Sequence, residues 1–240
     1  MNVYELSKSF ATEFTGCMVV GLMLGWSEIN IKFWKIDIFT LGLIQFSCIA
    51  FVTWTAINFS GAILNPSITT SLAVSNRIKG YKVLSYLVAQ LLGYLAGSIL
   101  LRIIMPLGDK KDKAAQICYG CFKVKEQFNI VSVILTELIG GFLLAFAYYS
   151  SVIDKRASKG VYAVSIAAVY FVMNLSFGKL MTIGMNPFRY LAGALINFDF
   201  SFFYVYLWPS LVGATVCSKF FDEIVLTDQP KISENHIKFD

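Results

Sequence analysis

Between Ile38 and Asn76 the chain carries no charged residue, a run of 39 positions. A membrane-spanning helix needs roughly 20 apolar residues, so two such helices with a connecting loop need more than about 40. The run therefore holds one span and about half of another, and Asn65-Pro66 lies where the half begins. Asn caps helices well and Pro fits the first helical turn, so this pair predicts a helix start inside the membrane. So short a helix must enter and leave on one face, which requires a re-entrant segment that is buried in protein or lines a cavity.

A second Asn-Pro pair has the same setting. Asn186-Pro187 precedes an apolar run from Tyr190 to Phe198, which is too short to cross a bilayer and predicts a second half-helix. With 57% hydrophobic residues and a mean hydropathy of +0.66, the chain is predicted to be an integral, multi-pass, all-α membrane protein in contact with the lipid bilayer. Six spans are predicted, the one after Ile38 and five others: Phe10 to Trp26, Val83 to Leu101, Gln127 to Ile153, Gly160 to Gly178 and Phe200 to Ser218.

The two halves of the sequence repeat one pattern. Thr12-Glu13 in the first span corresponds to Thr136-Glu137 in the fourth, 124 residues later, and the two Asn-Pro pairs are 121 residues apart. Each half, about 8–105 and 127–222, contains three spans and one half-helix, and an odd number of spans gives the halves opposite orientations. This inverted repeat, which is common in transport proteins, predicts one membrane domain over 1–222, in which the half-helices meet near the midplane, followed by an unstructured polar tail over 223–240.

Charge and cysteine content argue against several other classes of protein. The net charge of +5 is spread over short segments between apolar runs, so no nucleic-acid partner is predicted. Cys118 and Cys121 form a lone CxxC without a second pair or a histidine, which favours a loop disulfide or free thiols over a metal site. No span carries a histidine, a paired-acid motif or a metal-ligand spacing, so we predict neither an enzyme nor a bound cofactor or metal.

Four features together resemble the aquaporin, or major intrinsic protein, family over roughly residues 8–222. They are Ser60-Gly61-Ala62 leading into Asn65-Pro66-Ser67, the element Asn186-Pro187-Phe188-Arg189, the two membrane glutamates, and Gln90-Leu91-Leu92-Gly93. The family carries Asn-Pro-Ala twice, whereas the third positions here are Ser67 and Phe188. Serine is a mild change, but a phenylalanine at a tightly packed junction must displace a neighbour, which affects the width of the pore.

The predicted midplane of the pore consists of Asn65, Pro66, Ser67, Asn186, Pro187 and Phe188. Two facing helix N-termini place about half a positive charge each at the membrane centre, which opposes the passage of cations. The Asn65 and Asn186 amides can then donate to a neutral solute. Glu13 and Glu137 each cost on the order of 3 kcal/mol if unpaired, so we interpret them as braces that accept hydrogen bonds from the re-entrant loops, rather than as ion-coupling groups.

The resemblance further implies a selectivity filter of Gln45, Asn174, Ile183 and Arg189, with Arg189 facing water. An amide ring offers no apolar face to a carbon backbone, so water flux is expected to exceed glycerol flux. The implied function is passive permeation of water, with glycerol, urea or ammonia as further solutes, through one pore in each subunit of a homotetramer. The implied cytosolic termini gain no independent support from charge, because segment 102–126, which would lie outside, holds six Lys or Arg. The alternative is a secondary transporter, since broken helices also build substrate sites at the midplane.

Overall fold

The computed structural model describes residues 3–105, 119–120, 122, 124, 129–158 and 160–227. These residues form helices and loops, with one isolated antiparallel bridge between Val124 and Met181, and they confirm the all-α prediction. Cys118, Cys121 and the tail 228–240 lie outside the described residues. The helices are α1 (Val3–Phe33), α2 (Ile38–Ser60), α3 (Pro66–Val74), α4 (Gly80–Ile104), α5 (Ile130–Tyr148), α6 (Tyr162–Phe177), α7 (Pro187–Asn197), α8 (Phe203–Tyr206) and α9 (Pro209–Phe220).

Five of the six predicted spans are single helices. Four stretches are long and apolar enough to cross a membrane, namely Val3–Ile31, Ile38–Ser60, Gly80–Ile104 and Ile130–Ile153, and α6 is a shorter apolar helix. The predicted sixth span is divided instead, because Leu207 and Trp208 separate α8 from α9. Pro209 lacks an amide hydrogen and stands in the first turn of α9, where that hydrogen would have no partner in the helix.

The two Asn-Pro pairs begin the two short helices α3 and α7, as the sequence predicts. α3 has 9 residues and α7 has 11. At about 1.5 Å per residue they are roughly 14 and 17 Å long, about half the thickness of the hydrocarbon core. In each helix the Asn is the N-cap in an extended conformation and the Pro stands in the first turn.

Helix packing follows the sequence repeat. α1 packs on α4 as α5 packs on α9, and α2 packs on α6. Each half-helix lies against a helix of the other half, α3 on α9 and α7 on α4. Glycines permit the close approach of α4 to α1 and the equivalent approach of α9 to α5. A Cβ atom at Gly97 would lie 2.4 Å from the carbonyl oxygen of Met18, and one at Gly213 would lie 2.0 Å from that of Leu138. Any side chain at these positions would separate the helices that support the half-helices.

The helical structure continues past residue 222, where the sequence analysis places the end of the membrane domain. Both α5 and α9 run on into a π-helical turn, Tyr149–Ile153 and Phe221–Val225. Asp222 accepts a hydrogen bond from Arg77 at 2.5 Å, and both side chains are buried. The Arg77 guanidinium also lies 5.5 Å from the ring centre of Tyr149. The turn is therefore ordered by an ion pair to the segment that follows α3.

Candidate functional site

The first re-entrant loop is held by a buried carboxylate. Glu13 of α1 has no exposed surface and accepts hydrogen bonds from the backbone N–H groups of Ile63 at 3.1 Å and Leu64 at 2.7 Å. It also accepts from the Ser60 hydroxyl at 2.6 Å and from the Gln90 amide at 2.7 Å. Four donors from three segments surround one carboxylate, which fixes the backbone that leads into α3.

The second re-entrant loop is held in the same way but with fewer contacts. Glu137 of α5 is fully buried and accepts from the backbone N–H groups of Gly184 and Met185, each at 2.7 Å. A Cβ atom at Gly184 would lie 2.9 and 3.0 Å from the two carboxylate oxygens, so only glycine lets Glu137 approach this closely. The structure thus places both glutamates against the loops that the sequence analysis assigns to them.

The two asparagines join the loops to each other. The Asn65 side-chain amide donates to the Met185 carbonyl at 2.8 Å, and the Asn186 amide donates to the Leu64 carbonyl at 3.3 Å. The side-chain oxygen of each asparagine caps its own helix, since Asn65 accepts from the Ser67 N–H at 2.8 Å and Asn186 accepts from two N–H groups at 3.1 Å. The N-termini of the half-helices therefore meet through reciprocal bonds.

Backbone strain occurs at the same positions as these bonds. Leu64 and Met185, each directly before an asparagine, have φ angles of 51° and 52°. Residues with a Cβ atom avoid this left-handed region unless their surroundings impose it. The carbonyl groups of both residues accept the bonds from the opposite loop, so the strain and the contact between the loops have a common structural cause.

A tyrosine that the sequence analysis does not single out occupies the same region. Tyr94 of α4 is buried, donates its hydroxyl to the Leu64 carbonyl at 2.9 Å and accepts from the Asn186 amide at 2.8 Å. Together with Asn65, Tyr148 and Tyr170 it lines a cavity of about 20 Å³. This volume is enough for about one water molecule. The Asn186 amide has two N–H groups, and both donate to protein atoms, the Leu64 carbonyl and the Tyr94 hydroxyl.

The predicted filter residues of α2 and α6 contact each other. The Asn174 amide donates to the Gln45 side-chain oxygen at 2.9 Å and also to the Tyr170 carbonyl at 2.7 Å. The Gln45 amide lies 3.5 Å from the Ser27 hydroxyl of α1. Gln45 and Asn174 are separated by 129 residues in the sequence, and both are buried. The tertiary structure therefore brings the two predicted amides into one layer.

Arg189 differs from its predicted state. The sequence analysis expects a guanidinium that faces water, but this side chain is only 3% exposed and forms an ion pair with Glu28 of α1. Its other terminal nitrogen donates to the Ile183 carbonyl at 3.1 Å, and the guanidinium lies 4.8 Å from the ring centre of Phe122. Both charges are held in a largely apolar setting, so pairing them avoids the cost of burying either one alone. The sequence analysis does not identify Glu28, although it is an acid close to the end of the first apolar run.

The two unusual third positions have different surroundings. Ser67 is fully buried, and its hydroxyl donates to that of Ser210 in α9 at 3.1 Å. Phe188 is partly buried, packs against the apolar core, and is not among the residues that line the cavity near Asn65. Neither of these side chains accepts a hydrogen bond from the Asn186 amide, which donates to Tyr94 instead.

The fold and this site define a class of protein. Two half-helices that meet inside an inverted repeat of apolar helices are a device of integral, multi-pass membrane proteins, which satisfy irregular backbone by burying it against other helices. The sequence profile described as major intrinsic protein matches residues 2–221, and the chain belongs to that family.

Individual relatives agree with this assignment. The chain is 31% identical over 180 residues to lens fiber major intrinsic protein of Bos taurus, covering 74% of this chain and 65% of the relative. It is 27% identical over 180 residues to aquaporin NIP1-2 of Oryza sativa subsp. japonica, covering 75% of this chain and 58% of the relative. The chain thus spans less than two thirds of the length of these relatives. Its fold resembles the X-ray structure of the aquaglyceroporin from Plasmodium falciparum, with a TM-score of 0.83, 20% identity, and coverage of 94% and 100% of the two chains.

Proposed function

We propose that this protein is a passive channel for water, open also to small neutral solutes such as glycerol, urea or ammonia. The observation that carries the proposal is the reciprocal bonding of two asparagine-capped half-helices, Asn65 to Met185 and Asn186 to Leu64. Two facing N-termini put partial positive charge on the conduction path, which opposes cations but not neutral molecules. Membership of the major intrinsic protein family supports the same function, and it favours a channel over an enzyme.

In this proposal each group of site residues has a separate role. The midplane set Asn65, Pro66, Ser67, Asn186, Pro187 and Phe188 provides the facing helix starts. Glu13 and Glu137 brace the loops, which is supported by their backbone hydrogen bonds. Gln45, Asn174, Ile183 and Arg189 form the filter, which is supported by the Gln45–Asn174 and Arg189–Ile183 contacts.

The direct test uses purified full-length protein in lipid vesicles. Stopped-flow swelling in water, glycerol, urea and ammonia gradients is expected to give flux that is linear in the gradient and has a low activation energy. Uptake that saturates and is driven by an ion gradient would instead show a secondary transporter.

Selectivity is expected to depend on Gln45. Replacing Gln45 by Phe removes the acceptor of the Asn174 amide and adds an apolar face against which a carbon backbone can lie. The ratio of glycerol to water permeability should therefore rise above the wild-type value, in which water exceeds glycerol. Asn58→Phe, at an exposed position on the same helix, serves as the control. Unchanged selectivity in Gln45→Phe, or a wild-type preference for glycerol, would place the filter elsewhere.

We also propose a homotetramer, with one pore in each subunit. Its support on this chain is a groove of about 440 Å³ between α1 and α2 that contains Thr12, Thr15 and Thr55 beside Phe51. Threonines and other small residues on the outer face of membrane helices let another helix approach closely, which favours contact with a helix over contact with lipid.

Filling this groove should disrupt the assembly. Thr15→Trp is expected to convert a tetramer into smaller species, whereas Leu84→Trp, on an exposed part of α4, should leave the tetramer intact. Light scattering of the detergent-solubilised protein after size-exclusion chromatography measures the mass. A monomeric wild type, or a Thr15→Trp variant that is still tetrameric, would contradict the proposal.

A further inference from the structure

We propose that Glu28 is a specificity-determining residue of this channel, because its carboxylate cancels the charge of Arg189 and leaves a neutral filter that accepts solutes able both to donate and to accept hydrogen bonds. The inference rests on the proposed channel function. It adds a fifth residue, from α1, to a filter that the sequence assigns to α2, α6 and the second re-entrant segment.

Arg189 is held by three contacts. One terminal nitrogen pairs with Glu28, the other donates to the Ile183 carbonyl at 3.1 Å, and the face of the guanidinium lies 4.8 Å from the centre of the Phe122 ring. The Glu28 side chain is itself only 15% exposed. A buried guanidinium with a carboxylate at its terminal nitrogen presents no net charge to a solute in the same layer.

One polar atom on each side of this ion pair has no hydrogen-bond partner among the described residues. These atoms are Oε2 of Glu28 and Nε of Arg189, and both are buried. One is an acceptor and the other a donor, and they belong to the same ion pair. In the proposed filter, a solute that reaches this ion pair satisfies both atoms only if it can both donate and accept, as water, urea or a polyol can, whereas an anion would satisfy only the donor and a cation only the acceptor. The ligand chemistry of this position is therefore that of a neutral molecule with both donor and acceptor groups.

α1 is long enough for its C-terminal part to contact the predicted filter. This helix has 31 residues, roughly 46 Å, whereas about 20 residues cross the hydrocarbon core. The extra turns allow its C-terminal part to lie at the level of the filter. Ser27, next to Glu28, has its hydroxyl 3.5 Å from the Gln45 amide. Two consecutive residues of α1 thus contact the two sides of the predicted filter.

The test is the sensitivity of water flux to a small anion. Glu28→Gln keeps the size of the side chain but leaves the Arg189 charge uncompensated, so nitrate should bind in the constriction. At a nitrate concentration equal to or above the Kd of this site, at least half of the pores are occupied. We therefore expect water permeability to be at least about twofold lower in sodium nitrate than in iso-osmotic sodium gluconate, whose anion is too large to enter. Wild type and the exposed control Glu223→Gln should show equal permeability in both salts. The double variant Glu28→Gln/Arg189→Gln has no charge to attract nitrate and should also be insensitive.

Equal permeability of Glu28→Gln in both salts, or nitrate sensitivity in Glu223→Gln, would overturn the proposal. If Glu28→Gln is too unstable for vesicles, thermal unfolding in detergent of both single variants and the double variant measures whether Glu28 and Arg189 stabilise each other. Pairing requires the double variant to lose less in Tm than the sum of the single losses, and additive losses overturn the proposal. A wild type that conducts no water would refute the channel function, while this cycle would still test the pairing.

Discussion

Replacing Glu137 by Gln is expected to destabilise the protein by about 1–3 kcal/mol and to reduce water flux at a fixed amount of protein. The two carboxylate oxygens of Glu137 accept from two backbone N–H groups, those of Gly184 and Met185. A glutamine offers one oxygen and one NH₂ group, so one backbone donor would face another donor in a fully buried site. The second re-entrant loop then loses half of its anchorage. Thermal unfolding and stopped-flow swelling measure the two effects.

The equivalent change at Glu13 provides the comparison. In Glu13→Gln the remaining side-chain oxygen can keep the bonds from the Leu64 N–H and the Gln90 amide, and the new NH₂ group can donate to the Ser60 hydroxyl, so only the longer bond from the Ile63 N–H, 3.1 Å, is lost. Glu13→Gln should therefore cost less stability and less flux than Glu137→Gln, although the two glutamates are equivalent in the sequence repeat. A Glu137→Gln variant that melts and conducts like wild type would show that Glu137 is not a brace, whereas equal losses in the two variants would show that the extra contacts of Glu13 do not compensate for the substitution.

Removing the hydroxyl of Tyr94 is expected to raise water permeability about fivefold. This hydroxyl occupies one N–H group of the Asn186 amide and donates to the Leu64 carbonyl, beside a cavity with room for about one water molecule. In Tyr94→Phe both groups become available to a passing water molecule. One hydrogen bond gained by a water molecule beside this cavity lowers the barrier to its passage by about 1 kcal/mol, which corresponds to about fivefold in rate.

Tyr86→Phe is the matched control for this substitution. Tyr86 lies on the same helix, is fully buried, and donates its hydroxyl to the Ser60 carbonyl at 2.7 Å, but it is not among the residues that line the cavity. Its loss should reduce stability without raising flux. If Tyr94→Phe lowers the flux as Tyr86→Phe does, the Tyr94 hydroxyl supports the loops and does not obstruct the pore.

The sequence alone determined five of the six long membrane segments and both half-helices, but not the division of the sixth segment into α8 and α9. A bilayer demands a local property, roughly 20 apolar residues in succession, so the long helices and the two short ones can be read from charge spacing. The Asn-Pro pairs at 65 and 186 also act locally, since each caps the helix that follows it. The inverted repeat then follows from the count of spans, and with it the meeting of the two half-helices.

Only the tertiary structure decided which side chains meet around the two half-helices. Glu28 and Arg189 are 161 residues apart, and Tyr94 and Asn186 are 92 apart. Nothing in an apolar run distinguishes a tyrosine that faces lipid from one that reaches a half-helix, because both fit the same helix equally well. The position of the tyrosine relative to the other half of the repeat decides which of the two it does. That position depends on how closely the helices pack at residues such as Gly97 and Gly213. The net charge of the filter therefore depends on helix packing, because a buried guanidinium pairs with whichever carboxylate the packing brings next to it.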